Sequence, residues 1–518
     1  MKKIFTALLA CLLALACFAT GAAAVEAEGG TQSVGYITYE EFGAAGDGVT
    51  DDLDAIVAAH EAANAADLPV RADPDATYYI AQTGKTATIQ TSTDWGTAKF
   101  IIDDSEVLIG QGHNLHLFQV TSKLTRQNIT GVETLKKGQA NIGAAPGYAA
   151  LVQVVDANTI RYIRRGGNAN DGAPQREVLL VDADGNVDPD TPIVWDYGTI
   201  TSITAIPVDP EPLTISGGHF TTIANKVVGG DQYYNRGISV RRSNVLIDGF
   251  EHYVTEEPNA VCAPYSGILV LSDCAEVLVV NSVFTGRRQA FHGSYDIQLS
   301  NTANVTFKNC AQANSIHDNA YWGIMGANYI KNFTYDTVSF SRFDAHAGVH
   351  NVTIKNSQLG HMGINLIGSG TALIENTTVS AGRFINLRSD YGSVWDGEVV
   401  IKNCVFNQHN GNGYDHLLLG GDNDGQHNFG YACMMPRKIT IDGLVIRDKK
   451  HSLLYFGPKI FDQFGGIWLY IKDLFRAPPY PYGVTEEVVL RNITTESGRC
   501  LGKSFNFPRF WKVQVTRE

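Results

Sequence analysis

Val352-Thr-Ile-Lys-Asn356-Ser357 decides the fold, because the chain keeps repeating it. Aligned on the corner residue, the same unit reads Val277-Leu-Val-Val-Asn281-Ser, Val305-Thr-Phe-Lys-Asn309-Cys, Phe333-Thr-Tyr-Asp-Thr337-Val, Ala372-Leu-Ile-Glu-Asn376-Thr and Val399-Val-Ile-Lys-Asn403-Cys. Val245-Leu-Ile-Asp-Gly249 precedes the series. Ile439-Thr-Ile-Asp-Gly443 and Val488-Val-Leu-Arg-Asn492 follow it. The central corners lie 28, 28, 19, 20 and 27 residues apart. Each unit alternates apolar and polar residues, then stops at a residue that tolerates left-handed backbone. One such unit cannot bury its apolar face alone, so the units must stack. An antiparallel β-sandwich also has short alternating strands, but the same corner after the same strand favours stacking. A leucine-rich repeat is excluded because its Leu pattern is absent.

Stacking constrains the thiols. Cys310 and Cys404 share a register with Ser282, Ser357 and Thr377. Four coils at about 4.8 Å each put the two cysteines roughly 19 Å apart, beyond the reach of a disulfide. They are expected to be buried and unpaired, whereas Cys262 and Cys274 are near enough in sequence to suggest a bridge. The repeated rhythm breaks over residues 115–215. There Val178-Leu-Leu-Val-Asp182-Ala-Asp-Gly185 and Ile193-Val-Trp195-Asp-Tyr197 read as an inserted antiparallel β element or as irregular coils. The organisation expected is a leader over 1–24, cap and first coils over 25–114, the insertion over 115–215, and the main solenoid over 216–518. An aromatic-rich tail closes or flanks the last coils.

Met1-Lys2-Lys3, an apolar stretch and Gly21-Ala22-Ala23-Ala24 read as a bacterial secretory leader. The expected location is secreted or extracellular; Ala14-Leu15-Ala16-Cys17 is a poor lipoprotein signal. The chain carries 40 basic and 53 acidic side chains, a net charge of −13. That balance argues against nucleic acid. No later stretch is apolar enough to span a membrane.

Residues just after the corners are of a different kind. The leading polar residues, Arg287, His317, Arg342, His361, Arg383 and His409, fall five to eight positions past their corners. Similar offsets mean similar azimuth, so His, Asp and Arg form a line along one face, interleaved with Trp and Tyr. The bland reading is a row of polar loops bracing one another. The functional reading is a groove for a long hydroxylated polymer, since aromatic faces stack on sugars and Arg, His and Asn bond their substituents. Candidate substrate-binding residues are Arg288, His317, Trp322, Arg342, Asn365, Arg388 and Tyr391. Asp344 is the candidate central carboxylate, exposed and flanked by Arg342 and His346. Asp318 or Asp390 is its candidate partner, with His346 and His361 in support. Adjacent coils would set Asp318 about 5 Å from Asp344, and two coils would set Asp390 about 10 Å away; these spacings suit retaining and inverting hydrolysis respectively.

Near the front, Glu41-Phe-Gly-Ala-Ala-Gly-Asp47-Gly-Val-Thr50-Asp51-Asp52 leads into Leu53, Ile56, Val57 and Ala63 at helical spacing. Thr50 reads as the helix N-cap. With the repeats, this run resembles the opening of the pectin-lyase-like right-handed parallel β-helix proteins, and Asp73-Pro-Asp-Ala-Thr77-Tyr78 resembles their step into the first coil. The resemblance implies an all-β, single-stranded right-handed parallel β-helix with a short N-terminal capping helix, and a structural role for Asp47, Asp51 and Asp52. It also implies a glycan-active enzyme. Catalytic signatures are absent or loose: the repeats hold no Asp-Asp pair, Gly360-His361-Met-Gly363 only echoes a Gly-His-Gly, and Phe343-Asp344-Ala345-His346 resembles the Asp-Pro-His of alginate epimerases. The leading expectation is therefore a glycoside hydrolase with paired carboxylates. A polysaccharide lyase or uronate C5-epimerase comes second, and a non-catalytic glycan-binding solenoid third. No metal ligand set and no cofactor are expected; a lyase would bring in Ca2+. The partner is a polysaccharide, and the chain is expected as a monomer or homotrimer.

Overall fold

The repeated units stack as parallel strands in register. Ile215, Ile247, Val279, Phe307, Tyr335, Ile354, Ile374, Ile401, Ile441 and Leu490 form one continuous inward row, and every one is buried. The computed structural model describes residues 35–518 apart from 109–114, 167–168, 229–231, 261, 289–292, 410–415 and 449–454. The expected leader and Cys17 lie outside the described residues. Each middle coil carries three strand segments. In one coil these are residues 297–300, 305–308 and 311–312, each pairing with its counterpart in the coils before and after. Replacing one rung of the inward row by Ala costs about 2–5 kcal/mol, because neighbouring coils cannot collapse into the gap.

The corners adopt left-handed backbone, with φ of 51° at Asn281, 53° at Asn309, 54° at Asn356, 48° at Asn376 and 50° at Asn403. Their amides form a ladder. Asn309 Nδ2 donates to Asn281 Oδ1 at 2.6 Å, and Asn376 Nδ2 to Asn356 Oδ1 at 3.1 Å. A second ladder runs at the preceding bend, where Asn332 donates to Asn304 at 2.9 Å and Asn351 to Asn332 at 3.0 Å. Asn suits both places: it tolerates αL, and its amide both donates and accepts along the stack.

Cys310 and Cys404 are buried and free, each Sγ donating to a backbone carbonyl, Lys308 O at 3.3 Å and Lys402 O at 3.1 Å. Cys262 and Cys274 are also free, correcting the expected bridge. Cys274 sits in a coil strand beside Thr302, whereas Cys262 lies in a loop bridged to Val228.

The capping helix Leu53–Ala66 buries Leu53, Ile56, Ala59, His60 and Ala63. Thr50 is not its cap, since it lies in the strand Asp47–Asp51 and the N-cap is Asp52. The acidic run works as a backbone clasp. Asp52 accepts from Ala45 N and Tyr79 N, Asp51 from Ala81 N and Gln82 N, and Asp47 from Val49 N and Thr50 N.

Between the early coils the chain leaves the solenoid to make a four-stranded antiparallel sheet from Gln127–Asn128, Ala150–Arg161, Ala173–Val181 and Ser202–Pro207. One face covers the sheet's own small core of Leu135, Val152, Val154, Leu179, Tyr197 and Ile203. The other, Leu151, Val178, Leu180 and Ile206, packs on Ala275 and Ala303 of the solenoid. The same solenoid row continues to Lys331, whose ammonium pairs with Glu177 of the sheet at 2.6 Å, both buried. Small residues permit the close approach, and the buried ion pair fixes where it happens.

Candidate functional site

The first strand segment of each coil presents a row of outward residues. Val270, Gln298 and Gly326 are in register, as are Ser300 and Asn328. Further along, Asp344, Asn365 and Asn386 share a row. Strand alternation turns Phe343 and Ala345 into the core and Arg342, Asp344 and His346 to the outer face. Across this face runs a groove of about 920 Å³. Tyr233, Tyr295 and Trp322 supply aromatic walls; Gln298, Asn328, Asn365 and Asn386 supply amides; Arg164, Arg342 and Arg388 supply the cations. Among the described residues no Asp or Glu side chain lines it.

The carboxylates lie beneath the arginines. Arg342 Nη2 pairs with Asp344 Oδ2, and Arg388 Nη1 reaches Asp344 Oδ1 at 3.1 Å. Arg388 also grips Asp390 with two bonds, Nε to Oδ1 at 3.0 Å and Nη2 to Oδ2 at 2.7 Å. Arg164, from the hairpin of the inserted sheet, closes the series on Asp390 Oδ2 at 2.8 Å. Burial pushes the Asp344 carboxyl up, but Arg342 and Arg388 outweigh it and hold it down at about 2. Asp390 is likewise raised by burial and lowered further by Arg388 and Arg164, with a net downward shift. Asp344 has no exposed surface. The expectation of an exposed central carboxylate is therefore corrected: the azimuth is right, but two guanidiniums lie over it. Neither Asp344 nor Asp390 can keep the proton a general acid needs. The carboxyls that are pushed up lie elsewhere: Asp52 under the cap, Asp104 fully buried at about 6, and Glu257 in a separate small cleft.

Arg342 is almost wholly covered, yet among the described residues its Nε and Nη1 have no hydrogen-bond partner. Its guanidinium lies over Trp322 at 5.3 Å and Tyr295 at 5.7 Å. Gly323 makes room for its stem: a Cβ there would stand 2.5 Å from Arg342 Cδ. Unsatisfied buried donors of a cation are costly, and an anionic oxygen is the group that satisfies them best. His346 lies on the same groove. Burial, and after it the net field of the arginines against Asp344, pushes its imidazole down to about 4, so it is neutral at pH 7. Its Nδ1 meets Asn328 Oδ1 at 3.3 Å. With Nδ1 donating, Nε2 carries the lone pair.

Of the residues anticipated from sequence, Trp322, Arg342, His346, Asn365 and Arg388 line the groove. Tyr391 lies underneath, buried, with the Arg164 and Arg388 guanidiniums each 5.4 Å from its ring centre. His361 is not a groove residue. Its Nδ1 lies 3.1 Å from Ile316 O and its Nε2 2.9 Å from Tyr321 O, so a ring N–H donates to a carbonyl of the 316–321 loop and holds it in place. Asp318 is exposed in that loop and accepts from Ala320 N at 2.9 Å, a turn-capping bond away from the groove. His317 is exposed beside His409, rings 5.7 Å apart. Arg288 opens onto the cleft with Glu257 and bonds Asn259. His292 and Asp415 lie outside the described residues. Sequence reasoning missed Arg164, Tyr233, Tyr295, Gln298 and Asn328. Gln298 and Asn328 were open to detection as polar residues at outward positions of the strands before the corners; Arg164 carried no such signal.

The architecture is that of a parallel β-helix. No family model matches the sequence, and no curated protein matches it. Among solved structures, the chain is similar to the tailspike gp61 of Pseudomonas phage phi297, with a TM-score of 0.54 and 14% identity over 93% of this chain and 84% of that one. Weaker likenesses include the Gp54 tailspike of Acinetobacter baumannii bacteriophage AP22, solved with a capsular saccharide (TM-score 0.45, 10% identity, 93% and 79% covered). Another is the Azotobacter vinelandii mannuronan C-5 epimerase AlgE6 A-module (TM-score 0.30, 13% identity, 93% and 99% covered). At these identities the likeness defines the fold.

Proposed function

We propose that the chain is an exported, glycan-active enzyme that binds an acidic polysaccharide along the coil face and cleaves it by β-elimination at a uronate residue. The observation that carries this reading is the groove's charge: three arginines and a neutral histidine line it, and no described carboxylate does. Arg388, less covered than Arg342, takes the uronate carboxylate, with the Arg342 charge beneath it. Its positive charge stabilises the extra negative charge that develops when the proton α to that carboxylate leaves. His346 Nε2 accepts that proton. The C4–O bond then breaks, a C4–C5 double bond forms, and the leaving oxygen takes a proton from a groove hydroxyl, Tyr233 or Tyr295. Burial keeps the Tyr233 hydroxyl protonated, as a donor requires. Tyr295 and Trp322 offer ring faces to the neighbouring sugars. A paired-carboxylate hydrolase is disfavoured because its acid would have to be Asp344 or Asp390, and arginines keep both ionised. In this mechanism arginine does the neutralising that Ca2+ does in a metal-dependent lyase. Among the described residues no cluster of His, Cys, Asp and Glu has the arrangement of a metal site.

The test is incubation with a panel of acidic and neutral polysaccharides, reading reducing ends and double-bond absorbance together. Both signals should appear with an acidic polymer, and His346→Gln should remove them by about 10²–10⁴-fold while binding persists. Reducing ends without absorbance would replace the lyase by a hydrolase. Binding without any product would make the chain a glycan-binding solenoid.

A further inference from the structure

The helix Gly466–Phe475, Gly-Ile-Trp-Leu-Tyr-Ile-Lys-Asp-Leu-Phe, wears its apolar side outward. At 100° per residue, Ile467, Trp468, Ile471, Leu474 and Phe475 fall within an arc of about 120°. All five are exposed, Trp468 to 80% and Phe475 to 87%. The opposite arc of Leu469, Tyr470 and Asp473 is the half-buried one, with Asp473 held by Arg509 Nη2 at 3.5 Å. The short helix Phe507–Phe510 packs beside it, and Phe507 and Trp511 add two more exposed aromatics. Single exposed apolar residues are ordinary; a contiguous face of this kind marks a contact surface.

Charge selects the partner. The chain as a whole is acidic, at −13, but exposed Lys472, Arg476 and Lys512 flank this face. The acids close to it are already paired, Asp473 with Arg509 and Asp462 with Arg383. The partner is therefore apolar inside and anionic at its rim. A glycan does not fit, since Ile467, Ile471 and Leu474 offer its hydroxyls nothing. A two-fold contact with a second copy would set Lys472 and Arg476 of each chain against their own kind. Ten residues are too few to cross a bilayer, and no described helix is long and apolar enough to do so. A short helix with an aliphatic and aromatic face and cations at its edge is the pattern of one lying in a membrane interface. We propose that this face seats the protein on an anionic lipid surface, at the C-terminal end of the coils, so that the groove works close to a membrane.

The test is co-sedimentation of the full chain with vesicles of phosphatidylglycerol and phosphatidylethanolamine, against vesicles of phosphatidylcholine alone. Binding should favour the anionic vesicles, weaken with salt, and shift tryptophan emission to shorter wavelength; Trp468→Phe should lose most of that shift. Ile471→Glu should abolish sedimentation. Joint Lys472→Glu and Arg476→Glu substitution should cost at least about thirtyfold in partitioning. These are surface changes, so unchanged circular dichroism and glycan turnover keep the result separate from the enzyme reading. Absence of binding to either vesicle overturns the proposal, as does equal binding by Ile471→Glu. Self-association by light scattering that Ile471→Glu removes, without vesicle binding, assigns the face to a second copy instead.

Discussion

Replacing Asp344 by Asn separates a brace from a catalyst. The side chain keeps its size, so the space between Arg342 and Arg388 stays filled and only the charge is lost. The magnitude follows from two directions. The carboxyl is held at about 2 against an ordinary 3.8, which makes the ionised form worth about 2 kcal/mol to the folded state. Removing one member of a buried ion network typically costs about 3–5 kcal/mol, because the remaining charges stay buried without a counter-charge. Arg388 retains Asp390, which offsets part of that loss. The expected destabilisation is therefore about 2–4 kcal/mol at neutral pH, read as a lower midpoint in equilibrium urea unfolding. The pH dependence carries the sign. A carboxylate with a depressed folded value contributes its full stability above the unfolded value near 3.8 and loses it as pH falls through about 2. The gap between wild type and variant should thus be constant from pH 7 to 5 and close in stronger acid. An unchanged midpoint at neutral pH with turnover abolished would refute this reasoning and restore Asp344 as a residue that touches substrate.

Gly323→Ala should push the Arg342 stem aside and disturb its buried pair with Asp344, lowering the stability read in urea unfolding by about 1–3 kcal/mol and raising KM for the acidic polymer. Burial holds His60 and His350 at about 3 and His116 and His346 at about 4. The unfolded chain takes up these protons near pH 6.5 while the folded one does not, so the midpoint should fall as pH drops from 6.5 towards 4, before Asp344 titrates. Asn356→Ala should cost about 1–3 kcal/mol, since Ala tolerates a φ of 54° less well than Asn and the bonds to Asp336 and Asn376 are lost; Asn356→Gly should recover the backbone part. Turnover should survive chelation with EDTA, and a loss restored by Ca2+ would overturn the arginine-based mechanism.

The coil was legible because its signal is local. Val352-Thr-Ile-Lys-Asn356 states an inward face, an outward face and a corner within five residues, and each neighbouring copy states the same register. The face carrying the groove was legible to the same degree: counting from the corners placed Trp322, Arg342 and His346 on one side, as the structure does. Depth was not legible. Asp344 and His361 share that azimuth with true groove residues, yet one is covered by guanidiniums from its own and a later coil, and the other is turned into a loop. Such covering depends on where long side chains lie across coils, and residue spacing does not encode it. The cysteines show the same divide: the Cys310–Cys404 separation follows from coil height, whereas Cys262 sits in an irregular loop where sequence proximity to Cys274 says nothing about distance.

Arg164 shows what the insertion adds. The coils alone supply Arg342, Asp344, Arg388 and Asp390, two cations against two anions, and Arg388 is shared between both carboxylates. A groove built from these four would carry no net charge. The inserted sheet brings a third guanidinium to Asp390 Oδ2, which Arg388 also holds, and the network becomes positive by one. That delivery needs a rigid arm. The sheet is pinned at one end by Lys331 and Glu177, and along the hairpin by Arg161 on Gly430 O, Ile163 N on Phe429 O and Arg165 on Asp424. The insertion adds this charge without altering the coil register, because it reaches the groove from outside the stack. The net positive charge of this network therefore rests on a residue that no repeat contains.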